Sequence, residues 1–121
     1  IVIIEYNARL GFEQSVVVPY EDNFQRLKKH PSSIYFGASL NALYKLGVKK
    51  GYSLVGTNLN GSNAFFIKKD LLKKSGLSEL KPFDCFNKNS FNELRSKSGS
   101  LLERNTKIED DILKEMSFEK V

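Results

Sequence analysis

The sequence predicts an α/β chain in which a strand, a crossover helix and an antiparallel hairpin build part of a sheet, with a helical tail behind them. Three observations predict it. The chain opens on an uninterrupted β-branched run, Ile1 to Ile4; residues 37–50 place apolar side chains at helical spacing; and two apolar stretches, 52–57 and 63–68, flank a turn-forming cluster. With 121 residues, 40% of them apolar and 27% charged, the chain is one domain's worth and can bury a core.

The first strand is read over residues 1–6. A run with no polar alternation suits a strand covered on both faces, which is the habit of parallel sheets. Since the chain begins on this run and not on a methionine, it is expected to be a piece of a larger domain. Glu5, Tyr6 and Asn7 bring polar groups to the end of the strand, and Gly11 breaks the chain. Residues 15–18 are β-branched enough for a short second strand, which Pro19 stops by removing an amide donor. Residues 21–36 show no sustained period and read as a long functional or mobile connection.

The helix expected over 37–50 puts Leu40, Leu43, Tyr44 and Gly47 on one face. Gly47 toward the core would allow a close approach to the sheet, and Gly51 supplies the left-handed residue that ends helices. Between the next two strands lie Asn58, Leu59, Asn60, Gly61 and Ser62, too short a connection for anything but antiparallel pairing. Ala64 to Ile67 is apolar on both faces, so this strand belongs inside a sheet. Asp70 is expected to cap a short helix ending at Gly76. Beyond Pro82 the texture turns polar; capping boxes at Ser90–Glu93 and Thr106–Glu109 stand out, and the second opens a helix that aligns Ile108, Ile112 and Met116. The organisation expected is an α/β unit over 1–80 and a polar, partly helical tail over 81–121, which docks on the sheet or on a neighbour.

Several function classes fall away. One cysteine, Cys85, permits no intrachain disulfide and no cysteine-pair metal site. The longest apolar run is far shorter than the roughly 20 residues that span a bilayer, so the expectation is a cytoplasmic chain with no membrane partner. The net charge of +5 comes without a long single-sign block. The pairs Lys49-Lys50, Lys68-Lys69 and Lys73-Lys74 read as a solvated surface at element ends, which disfavours nucleic acid as a partner.

Five short stretches occur in order: Glu5-Tyr6-Asn7, Val18-Pro19-Tyr20, Tyr35-Phe36-Gly37-Ala38-Ser39-Leu40, Gly51-Tyr52-Ser53-Leu54-Val55-Gly56, and Asn63-Ala64-Phe65-Phe66. As a set they resemble the C-terminal half of the FkbM-like, S-adenosylmethionine-dependent methyltransferases, a bacterial family of Rossmann-like fold, over about residues 1–72. The resemblance implies a parallel strand, a crossover helix and a last strand inserted antiparallel. It also implies methyl transfer by a longer parent protein that binds S-adenosylmethionine. The glycine-rich cofactor turn of that family is not among these residues, since the only glycine-rich candidate, Asn60-Gly61-Ser62, sits in a hairpin and not between a strand and a helix. No cofactor is therefore expected on this chain alone. The expected partners are the other half of the domain and a second copy paired through residues 1–6.

Ligands of open α/β sheets lie outside the C-terminal ends of the parallel strands. That places Glu5 as the candidate catalytic base or orienting group for an acceptor hydroxyl, unless it bonds loop amides instead. Tyr6, Asn7, Tyr20, Tyr35 and Ser39 are the candidate substrate-binding residues, with Ser39 equally suited to capping the helix. His30 has no second ligand for a metal, and Cys85 has no base nearby in sequence. Two further readings stay open: a non-catalytic interaction module of the same fold, and nucleic-acid binding driven by charge.

Overall fold

The computed structural model describes residues 1–89, 93–103 and 105–121. The element order is β1 (Val2–Glu5), a 3-10 turn (Ala8–Leu10), β2 (Val16–Val17), α1 (Arg26–Lys29), α2 (Leu40–Lys49), β3 (Tyr52–Thr57), β4 (Asn63–Lys68), α3 (Lys69–Ser75), α4 (Pro82–Cys85), α5 (Thr106–Lys114) and β5 (Glu119–Lys120). The fold is mixed α/β, with a three-stranded sheet in the order β1-β4-β3 and a two-stranded sheet of β2 and β5.

β4 pairs antiparallel with both neighbours, matching Val2 with Phe66 and Ile4 with Ala64 on one side and Leu54 with Phe66 on the other. β1 and β3 therefore run in the same direction with β4 reversed between them. This arrangement explains why Ala64–Ile67 carries no polar alternation: both faces of an interior strand need cover. On one face Ala64 and Phe66 join Tyr6, Leu40, Leu54 and Ala8 in the core. Burying a leucine such as Leu40 or Leu54 completely is worth about 1.5–3 kcal/mol against leaving it in water. The β3–β4 turn is held from inside by Asn58, whose side-chain oxygen accepts from the amides of Ser62 and Asn63.

The opening strand departs from its expectation. Among the described residues β1 pairs only with β4, antiparallel, and no strand lies along its other edge. Val2, Ile3 and Ile4 are 39%, 62% and 37% exposed, where an inner strand would be covered. The tail helix does not shield them.

α2 begins at Leu40, later than residue 37, because Ser39 is its N-cap and its hydroxyl accepts from the Ala42 amide at 3.2 Å. Gly37 takes a left-handed φ of 66° before it. Gly51, at φ 78°, ends the helix as expected. The stretch 21–36 contains one helical turn, α1, too short to show a period in sequence. Asp70 is not a cap; it lies in the first turn of α3 behind Lys68, where its charge suits the helix dipole. α5 is capped by Asn105, one residue before Thr106, through a 2.9 Å bond from the Lys107 amide. The Ser90–Glu93 box falls largely outside the described residues.

The tail returns to the α/β unit rather than hanging from it. Cys85 and Phe86 pack against the core, and Leu94 is fully buried. β5 adds to β2, and the Val121 amide donates to Ser15 O. Among the described residues no helix is long and apolar enough to cross a membrane.

Gly47 sits where a Cβ would stand 2.8 Å from the Phe66 ring. Gly47→Ala gains about 1 kcal/mol of helix propensity but forces a buried ring aside, at about 1–3 kcal/mol. Urea unfolding of this variant should show a net loss of stability of up to roughly 2 kcal/mol; an increase would mean that α2 does not pack this closely on β4.

Candidate functional site

Where β1 ends, the chain turns through Tyr6 and Asn7 into the 3-10 turn, and a cleft of about 630 Å³ opens beside that turn. Residues 8–14 form one wall; Phe86, Lys88 and Asn89 form a second; the first turn of α5, Asn105 to Asp110, forms the third. Phe12 is central to its apolar side, with ring centroids 5.3 Å from Phe86 and 5.6 Å from Phe83. Polar groups come from Arg9, Gln14, Asn89, Asn105, Glu109 and Asp110. Mixed aromatic and amide or carboxylate lining is what a small polar ligand with an apolar face requires.

Arg9 anchors the cleft's far wall. Its Nε lies 3.3 Å from Glu109 Oε1, and its side chain is only 3% exposed. Burying a guanidinium is tolerable only beside a carboxylate and other acceptors. This pair therefore ties α5 to the end of the sheet. Neither residue was legible as a site member: they lie far apart in sequence, and Glu109 is explained locally as part of a capping box.

The sequence-predicted residues fall into two groups. Asn7, Tyr6 and Ser39 come together in the interior. The Asn7 side chain donates to Ile34 O at 2.8 Å and Phe36 O at 3.0 Å, and accepts from the Arg9 amide at 3.2 Å. It thus joins the end of β1 to the long connection. Ser39 Oγ also accepts from the Val16 amide at 3.1 Å, which hangs β2 on the start of α2. The Tyr6 hydroxyl donates to Asn87 O at 2.9 Å.

Glu5, Tyr20 and Tyr35 stand apart from these. Glu5 is exposed on β1, opposite Asn63, and does not line the cleft. Tyr20 is 89% exposed, and its hydroxyl donates to Asp22. Tyr35 donates to Ser117 O at 2.7 Å and packs edge-on against Phe118, so it fastens the tail. His30 Nδ1 accepts from the Ser32 amide at 3.2 Å. Among the described residues no group of three or more His, Cys, Asp or Glu is placed to hold a metal ion.

Burial pushes two groups upward. The Tyr6 phenol is raised above its ordinary value chiefly by loss of water, with hydrogen bonds to Thr57 and Asn87 pulling the other way. The Cys85 thiol is raised by burial and then by the neighbouring Asp84 carboxylate. Both are neutral near pH 7, so Tyr6 acts as a hydrogen-bond donor and not as a base, and Cys85 is a poor nucleophile. Comparison with known proteins gives no match to a family model, a curated sequence or a solved structure.

A raised folded-state pKa means that Tyr6 contributes stability below its unfolded value, near 10, and that this contribution disappears as pH rises through the folded value. In a near-ultraviolet titration the step that Tyr6→Phe removes should lie above the ordinary tyrosine value; a step removed at or below that value would contradict the buried placement.

Proposed function

We propose that this chain is the C-terminal part of a Rossmann-like, S-adenosylmethionine-dependent methyltransferase domain, to which it contributes the end of the sheet and part of the acceptor pocket. The observation that carries the reading is the strand arrangement: two strands running the same way with the last one reversed between them, in a chain whose short motifs resemble that family. The outer edge of β1, along which no strand pairs among the described residues, supports it. A strand with apolar residues on both faces and a free row of amides is half of a ladder, and exposed it invites another strand. The rest of the sheet is the partner that fits, with a second copy taking the same edge if no such strand is supplied.

The residues present do not form the cofactor's own site. The one glycine in a turn with a neighbouring polar cluster, Gly61, is already filled from within: a Cβ there would lie 2.5 Å from Asn87 O. It is therefore no phosphate or ribose cradle, and no step is derived through the cofactor here. The acceptor side is what these residues can serve. Methyl transfer to oxygen needs a hydroxyl held in line with the methyl group and relieved of its proton. The cleft beyond β1 can hold an acceptor between Phe12 and the polar wall of α5. Glu5 lies outside this cleft, so it takes the proton only from an acceptor whose hydroxyl reaches past Tyr6 and Asn7 to the exposed end of β1 in the longer protein. Tyr6 and Asn7 hold the turn that separates the two, acting as positioning residues.

Calorimetry on the longer protein that contains this chain tests the reading. Binding of S-adenosylmethionine by that protein, and none by residues 1–121 alone, is expected. In the longer protein Glu5→Gln should lower the methyl-transfer rate by about 10²-fold or more while leaving cofactor affinity unchanged. A longer protein that binds no S-adenosylmethionine would remove the proposal in favour of a non-catalytic module.

A further inference from the structure

Three lysine pairs that stand apart in sequence meet at one end of the fold. Lys50 ends α2, and the next carbonyl, of Gly51, accepts the Lys69 amide at 3.0 Å. Lys68 lies across the sheet from Tyr52, which follows Gly51. Lys73 follows Lys69 by one helical turn on α3, with Lys74 beside it. Lys49, Lys50, Lys68, Lys69, Lys73 and Lys74 are all exposed. Among the described residues none of them pairs with a carboxylate. Asp70 is the one acidic residue between positions 45 and 78. Read along the chain, each pair is an ordinary solvated element end; their convergence makes a single patch of unneutralised charge.

Apolar side chains are exposed among these lysines. Leu46 and Val48 on α2 are 47% and 38% exposed, and Leu71 on α3 is 43% exposed. The patch contains no arginine, and the ring beside it, Tyr52 opposite Lys68, is half-buried. Nucleic-acid surfaces rely on the planar guanidinium fork and on rings that stack bases. Lysines act as mobile point charges, and aliphatic groups interspersed with them suit a fluid layer of anionic headgroups over hydrocarbon. We propose that this end of the domain docks reversibly on an anionic phospholipid surface. β1 and β3 start at the lysine end, and the cleft opens beyond the C-terminal end of β1, so a docked molecule keeps its cleft turned away from the lipid. The proposal does not depend on the methyl-transfer reading.

Co-sedimentation of the 121-residue chain with phosphatidylglycerol-containing vesicles, with pure phosphatidylcholine vesicles and with a DNA duplex tests it. Binding to the anionic vesicles alone, lost in high salt, is expected. Lys68→Gln with Lys69→Gln should weaken that binding by roughly 10- to 30-fold. Lys28→Gln with Lys107→Gln removes the same charge from elsewhere and should leave it unchanged. An equal loss in both double variants would show a net-charge effect and overturn the patch. No vesicle binding, or binding to DNA in its place, would overturn the lipid assignment.

Discussion

The structure depends on β4 being shared. This strand hydrogen-bonds on both edges. Ala64 and Phe66 are buried on the face where α2 lies, and on the other face Ile67 is buried and Phe65 half-buried. Its apolar run therefore depends on β1 and β3 flanking it and on α2 lying across it. Phe66 shows the dependence most directly: it is paired with Val2 and Leu54 and presses against Gly47 of α2. Interiors pack at near-crystalline density, so a side chain with neighbours from three elements fixes all three together. Everything outside this layer is positioned from it.

A second constraint organises the end of the sheet where the cleft lies. The backbone leaving β1 and the backbone entering α2 would each bury polar groups with no sheet partner. Asn7 and Ser39 satisfy them, one by bonding the carbonyls of the long connection and the other by capping α2 while accepting from β2. Buried polar groups left unpaired cost about 1–3 kcal/mol each. These two side chains therefore hold a loop that is polar and irregular in sequence in one arrangement. The tail is fastened to the same region by the Arg9–Glu109 pair and by Tyr35. The cleft is consequently a product of contacts between distant parts of the chain.

That difference explains what could be read in advance. The helix around Leu40–Gly47, the hairpin and the interior character of Ala64–Ile67 follow from local periodicity and turn chemistry, and the folded chain has them. The role of Gly47 followed from its place on the apolar face. The cleft was not legible, since no local spacing relates Arg9 to Glu109 or Phe12 to Phe86. The caps at Asp70 and Thr106 were misplaced by a residue or two: α3 starts behind Lys68, which makes no side-chain cap bond, and Asn105 caps α5 one residue before Thr106. β5 escaped notice because two charged residues carry no strand pattern; they pair only because Val16 and Val17 offer an edge. Polar residues grouped as one site, such as Asn7 and Tyr20, separated because one is sealed in the interior and the other is solvated.

The strand order is the claim from which the fold, the cleft and the proposed function all proceed. Nuclear magnetic resonance of the isolated chain tests it most directly, through cross-strand contacts and amide exchange. The account predicts Hα contacts of antiparallel register linking β4 to both β1 and β3, including the region of Ile3 and Phe65, with slow amides throughout β4 and fast ones on the outer side of β1. Pairing of β1 with β3 directly, or uniform exchange across β1 and β4, would contradict it.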